Sequence, residues 1–236
     1  MAYVNSALFV AKSIEIFNYY RKFLGDDFFH NYRICQYLSE EIIDASKVDF
    51  KIEGAENVSS REPFLICSNH VAFFDIAALC YAINKPMPFA AAKELVKNPI
   101  ISKYITSINS VLINRDKEDL KLMKKQLEEM ENAISTTGLI LFPEGECSYG
   151  TDEVKEFKKG GFIAAKKHDS LIVPTYIDYK DYKRFGRLIV PKDEVVVKFD
   201  KPFKASDITD KKMNAQSLAN YTRDRVLTLK KEKTNV

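Results

Sequence analysis

The chain has 236 residues, 46% apolar and 29% charged, which suits one folded unit with a sizeable core and excludes a disordered chain. A formal net charge of +3, with lysines spread along the sequence, excludes the basic stripe of a nucleic-acid reader. Four irregularly spaced cysteines (Cys35, Cys67, Cys80, Cys147) with no signal peptide before them read as reduced thiols of a cytosolic compartment, and Cys and His never approach zinc-ligand spacing, so no metal site is expected.

Residues 1–44 differ in character from the rest of the chain. Ten aromatics fall in the first 37 residues. Apolar positions recur at helical spacing (Ala7, Val10, Ile14, Phe17, Leu24, Phe28), opposite a face carrying Lys12, Glu15, Asn18 and Lys22. Gly25-Asp26-Asp27 is expected to divide this arm into two helices. The arm either packs on the core or lies in a membrane interface with its aromatics at headgroup level.

From Val48 the pattern becomes α/β. Residues 48–52 alternate like a half-buried strand and stop at Gly54. Residues 64–67 form a short continuous apolar run, as in a strand buried on both faces. A helix is expected over 73–82, a strand over 110–113, and a long charged helix capped by Asp116 and ending near Ser135. Residues 138–142 read as a buried strand, 160–167 as a short helix, and 171–177 and 194–199 as strands. A closing helix is expected over 210–231. Strands alternating with helices predict an α/β fold: a mostly parallel mixed sheet flanked by helices. Residues 64–83 are the nearest approach to a membrane span, but Asn69, His70 and Asp75 interrupt their centre at high cost in hydrocarbon.

Two short motifs come directly after buried strands. In Asn69-His70-x4-Asp75, the two ionisable groups would point apart on one continuous helix, since five residues rotate about 140°. With His70 in the lead-in loop and Asp75 in the first helical turn, Asp75 can accept from one imidazole nitrogen and leave the other free for a proton. The chain has no Gly-x-Ser-x-Gly elbow; Cys67 sits inside a strand, and Cys147 stands beside Glu146, which is expected to raise its pKa. That points to a substrate hydroxyl as nucleophile with His70 as general base. A core histidine beside a helix-capping aspartate is the alternative for this spacing alone. The second motif is Phe142-Pro143-Glu144-Gly145. If the strands before it and before His70 are parallel, both loops open on one sheet edge, where ligands of open α/β sheets bind.

Together with Arg115 after a strand, Ala92-Lys93-Glu94-Leu95, Phe157-Lys158-Lys159-Gly160, Val173-Pro174 and the strand leading to Pro202, these motifs resemble, in order from about 48 to 203, the glycerolipid acyltransferase family. Its best-known members are the 1-acylglycerol-3-phosphate acyltransferases. The resemblance implies a membrane-seated arm (1–44), an acyltransferase domain (45–236), and a His70/Asp75 dyad. It implies that Arg115 and the Phe142–Ser148 loop, with Glu144, Gly145 and Ser148, bind the acceptor's phosphate, that Lys93 and Lys158 lie nearby, and that Asn69 belongs to the substrate-binding set. The donor would be acyl-CoA or acyl carrier protein, a co-substrate rather than a resident cofactor. The acceptor would be a lysophospholipid, and the place of work the cytoplasmic face of a membrane, as a peripheral or monotopic protein. One position departs. Where the family loop usually reads Phe-Pro-Glu-Gly-Thr-Arg-Ser, this chain has Glu146-Cys147-Ser148 after Gly145. That leaves two alternatives beside the phosphate-bearing acceptor: a lysolipid without a phosphate monoester, or a catalytically idle lipid-binding relative.

Overall fold

A computed structural model describes residues 6–59, 61–114, 119–151, 153–209 and 213–232. Two helices open the chain, α1 (Ser6–Tyr20) and α2 (Phe28–Ser46). The break falls at Gly25–Asp27, as expected. Asp27 caps α2 by accepting from the His30 N–H, satisfying one of the donors that a helix start leaves unpaired. Asn31 ties the junction to the body: its amide holds both backbone groups of Gly25 and the Ser107 carbonyl.

The buried face of α1 differs from the expected one. Phe9 and Ile16 are buried, with Phe17 packed beside them, while Ala7 is exposed and Ile14 is 52% exposed. The segment SALFVAKSIEIFNYY carries apolar residues on more than one face, so periodicity does not choose among them. Packing on α2 and on Tyr104 does; Tyr104 donates to the Phe17 carbonyl and meets its ring edge-on.

The main sheet has the order β1-β7-β6-β2-β5, where β1 is Asp49–Glu53, β2 Phe64–Ser68, β5 Leu139–Leu141, β6 Leu171–Phe185 and β7 Leu188–Phe199. Strand β2 runs parallel to β5 on one side and to β6 on the other; only β6 and β7 pair antiparallel. This is the mostly parallel mixed sheet expected. A second small sheet, β3 (Ala90–Ala92) with β4 (Val111–Ile113), continues from β5 through a parallel bridge between Phe89 and Ile140. Alternate residues of β2 feed opposite layers: Ile66 joins the core under α1, α2 and α3 (Phe74–Ala82), while Leu65 and Cys67 join the core under α5 (Leu120–Thr136), α6 (Gly160–Lys167) and α7 (Ala215–Lys231). Burial on both faces is why β2 reads as an unbroken apolar run.

Three expectations change. The cap of α5 is Asp119, whose carboxylate accepts the Leu122 N–H; Asp116 lies outside the described residues, as does Asp210 at the expected start of α7, which Asn214 caps. Strands β6 and β7 run eight and six residues beyond the expected spans, as a charged hairpin closed at Gly186 (φ 61°). Asp181 pairs there with Lys192 (2.6 Å), while Lys183 and Arg184 stand opposite the buried Val190 and Ile189. A further helix, α4 (Pro99–Ser107), occupies a stretch without expected structure. Residues 64–83 form a strand, a loop and a helix, and among the described residues no helix is long and apolar enough to cross a membrane.

Candidate active site

The parallel pairing of Leu65–Cys67 with Leu139–Leu141 brings the carboxyl ends of β2 and β5 side by side, so the two motif loops leave the sheet at one edge. Past Ser68 the chain turns through His70 and re-enters structure at Phe74, with Asp75 in the first turn of α3. Asp75 folds back onto this loop. Its Oδ2 accepts from His70 Nδ1 (2.8 Å), Val71 N (2.7 Å) and Ala72 N (3.0 Å), and its Oδ1 from the Tyr179 hydroxyl (2.5 Å). The carboxylate is fully buried, and four hydrogen bonds offset the cost of taking it out of water. With Asp75 as acceptor, Nδ1 of a neutral ring carries the proton and Nε2 keeps its lone pair. Among the described residues nothing hydrogen-bonds that Nε2.

The second loop closes on the first along its length. The Phe142 ring stacks on the His70 ring, centroids 4.1 Å apart and planes 16° apart. Ser148 N–H donates to the His70 carbonyl (2.7 Å), Gly150 N–H to that of Val71 (3.3 Å), and the Cys147 thiol also to Val71 (3.0 Å). Glu144, only 2% exposed, accepts the His70 N–H on one oxygen (2.8 Å) and the Lys155 N–H on the other (3.0 Å). Burial raises its pKa above the ordinary carboxylate value, against the pull of those two N–H groups. Asn69 is buried and exchanges hydrogen bonds with both backbone groups of Ile177, as though it extended β2 by one rung. Ser148 donates to the Thr151 carbonyl (3.2 Å). Gly145 sits at φ 73°, and a Cβ there would come within 2.5 Å of Lys158 Nζ; Lys158 N–H holds the Pro143 carbonyl (2.9 Å). The Phe157–Gly160 motif is thus packed on the Phe142–Gly145 motif.

Asn69, His70, Glu144 and Ser148 line one cavity of about 100 Å³, together with Tyr179 and Tyr182 of β6. Lys93 is exposed and lines a different, larger hollow of about 540 Å³ between β4, α5 and the start of α2. Arg115 lies outside the described residues. Tyr179 is the partner the sequence reading missed; no local pattern joins it to Asp75, 104 positions away. Its phenol is held protonated, the pKa well above the ordinary value, by burial and then by the Asp75 charge.

Cys147 titrates high, pushed up to about 11, but not through its neighbour in sequence. Burial comes first, and the raising carboxylates are those of Asp75 and Glu144. Glu146 turns outward, with its side chain 57% exposed and 2.9 Å from Lys155 Nζ.

A buried carboxylate orienting a histidine, with no serine hydroxyl or low-pKa cysteine bonded to its ring among the described residues, is an arrangement for a base that works on a substrate's own nucleophile. The chain belongs to the Acyltransferase family, which it matches over residues 49–178. Among its relatives is the 1-acyl-sn-glycerol-3-phosphate acyltransferase of Cocos nucifera, 29% identical over 166 residues, 69% of this chain and 52% of that protein. The enzyme of the same name from Helicobacter pylori is 30% identical over 112 residues, 47% of this chain and 46% of that one. The matched stretches thus span about half the length of these relatives. The crystal structure of the 1-acyl-sn-glycerophosphate (LPA) acyltransferase PlsC from Thermotoga maritima has the same fold, with a TM-score of 0.70 at 20% identity, covering 96% of this chain and all of that one.

Proposed function

We propose that this chain transfers a fatty acyl group from an acyl thioester, acyl-CoA or acyl carrier protein, to the free hydroxyl of 1-acylglycerol-3-phosphate, giving phosphatidic acid. The observation that carries the reading is the 2.8 Å bond between His70 Nδ1 and a fully buried Asp75, which leaves Nε2 as the basic atom. His70 Nε2 takes the proton of the acceptor hydroxyl as its oxygen attacks the thioester carbonyl; the C–S bond breaks, and the imidazolium, stabilised by Asp75, gives its proton to the leaving thiolate. Glu144, Asn69, Gly145 and Ser148 shape the two loops around the acceptor, and Arg115 and Lys158 supply its phosphate with cations, with Lys93 a further cation on the hollow between β4 and α5. The outward turn of Glu146 supports the phosphate-bearing acceptor, since a carboxylate facing a dianion would repel it. Cys147, turned onto the Val71 carbonyl where the resemblance expects arginine, favours the second reading: a lysolipid without a phosphate monoester.

Residues 1–44 form the membrane-seated arm of this reading and 45–236 the acyltransferase domain, at the cytoplasmic face. Leu8 (64% exposed), Ile14, Tyr19, Phe23 and Phe29 (66% exposed) support that seat. The test is acyl transfer by the purified chain against a panel of acceptors in mixed micelles. Phosphatidic acid formed from lysophosphatidate far faster than product from lysophosphatidylcholine supports the reading. The reverse order replaces the acceptor, and no transfer to any lysolipid overturns the activity.

A further inference from the structure

Asp75 is held from two sides. Oδ2 belongs to its own loop, where His70, Val71 and Ala72 donate to it. Among the described residues Oδ1 has a single partner, the Tyr179 hydroxyl at 2.5 Å, which arrives from β6. Tyr179 sits where the register of β6 against β7 shifts, between Tyr179 and Asp181, and its ring meets Phe74 edge-on with centroids 6.3 Å apart. Three residues on, the Tyr182 hydroxyl donates to the Gly150 carbonyl. The same strand therefore grips both site loops, the His70–Asp75 turn through Tyr179 and the 142–150 loop through Tyr182. Without the Tyr179 hydroxyl, one oxygen of a fully buried carboxylate loses its donor, and the group is driven to rotate toward another.

We propose that Tyr179 is a positioning residue for the reaction: its hydroxyl fixes the second oxygen of Asp75, which keeps the first aimed at His70 Nδ1 and sets how much of the carboxylate charge His70 feels. The inference rests on the acyl-transfer reading, and its test carries one readout that does not need transfer. The groups facing Asp75 are the His70 ring, the Tyr179 phenol and the Cys147 thiol, with Glu144 beyond on the His70 N–H and Asp178 of β6 tied to Lys180 at 2.6 Å. The Tyr179 phenol stays a donor throughout the working range because it titrates well above the ordinary value. A donor to Oδ1 draws negative charge away from Oδ2. Removing it returns that charge to the His70 side and favours the imidazolium, so the ring then loses its proton at higher pH.

The experiment compares wild-type protein, Tyr179→Phe, and protein carrying 3-fluorotyrosine at 179, a stronger donor of nearly the same shape. Two quantities are read: the pH profile of kcat/KM, and the imidazole titration of His70 by NMR. The chain has three histidines, so His70→Ala assigns the resonance. Tyr179→Phe is expected to lose roughly 10- to 100-fold in kcat, the worth of one hydrogen bond to a charged group, with KM within about twofold. Its acid limb and its His70 midpoint should move up by on the order of half a pH unit, and the fluorotyrosine protein should move both down. A folded Tyr179→Phe with unchanged kcat and midpoint overturns the proposal. If that variant does not fold, an unmoved midpoint in the fluorotyrosine protein overturns it. If the wild type transfers to no lysolipid, the acyl-transfer reading fails, and the NMR midpoints alone decide whether Tyr179 governs the dyad.

Discussion

Replacing Asp75 separates its structural work from its chemical work. In Asp75→Ala, four donors lose their acceptor: His70 Nδ1, the N–H groups of Val71 and Ala72, and the Tyr179 hydroxyl. The hydroxyl can turn elsewhere; the other three are fixed by ring and backbone. At about 1–3 kcal/mol for each buried group left unpaired, they sum to about 3–9 kcal/mol. Water entering the vacated space brings the cost toward the lower end. In a domain of this size about 1 kcal/mol lowers Tm by about 2–4 °C, so a fall of at least about 6 °C is expected. Asp75→Asn keeps one oxygen for the loop donors, and its amide can face Tyr179, whose hydroxyl oxygen accepts. It should melt within about 4 °C of wild type, a change of about 1 kcal/mol, yet lose about 10²–10⁴-fold in kcat, because the imidazolium no longer has a countercharge. Thermal unfolding beside initial rates checks both. Equal melting of the Ala and Asn variants would refute the hydrogen-bond account of the loop, and wild-type turnover by folded Asp75→Asn would refute the role of the charge.

The same geometry sets other outcomes. Cys147 is pushed up to about 11, so below that pH it is a thiol; alkylation by iodoacetamide should be slow at pH 7 and rise tenfold per unit toward pH 11, and Cys147→Ser should keep its activity with no acyl adduct found by mass spectrometry on any cysteine of the working enzyme. The arm is tested by point changes rather than deletion, because Tyr32, Leu38 and Ile42 of α2 belong to the core. Leu8→Glu with Ile14→Glu should leave Tm within a few degrees while abolishing co-sedimentation with liposomes, and undiminished binding by the folded double variant would remove the membrane role of that face. Arg115→Ala should raise the acceptor KM by about one to two decades, the worth of a charge-assisted contact to phosphate, whereas Cys147→Arg should leave it unchanged or lower it. A KM unmoved in Arg115→Ala assigns the phosphate to other cations.

Most elements were legible because local rules agreed with the fold. The run Phe64–Cys67 reads as a strand buried on both faces and is one, and Gly160–Lys167 is a helix over its full expected span. The His70–Asp75 geometry came from angular arithmetic on a five-residue spacing, and the bond is there. Helix α4 carries a legible start that periodicity alone passes over: Asn98 caps it and Pro99 opens it. The β6–β7 hairpin was not legible by alternation, since Asp181, Lys183, Arg184 and Lys192 interrupt the apolar pattern, although Val190 and Ile189, opposite Lys183 and Arg184, join the core. The buried face of α1 was ambiguous because apolar residues surround the helix. Tyr179 illustrates the general limit: a partner brought 104 positions through a crossover leaves no trace in spacing.

If His70 Nε2 removes the acceptor proton, as proposed, single-turnover transfer must slow in His70→Ala. Purified wild-type and variant protein, matched in Tm, are mixed with a labelled acyl thioester and lysophosphatidate, and the rate of phosphatidic acid formation is followed with enzyme in excess. Transfer is expected to slow by about 10²–10⁴-fold in the variant, with acceptor binding preserved and no acyl-enzyme accumulating in either protein. Transfer by folded His70→Ala at the wild-type rate would contradict the proposed role of His70.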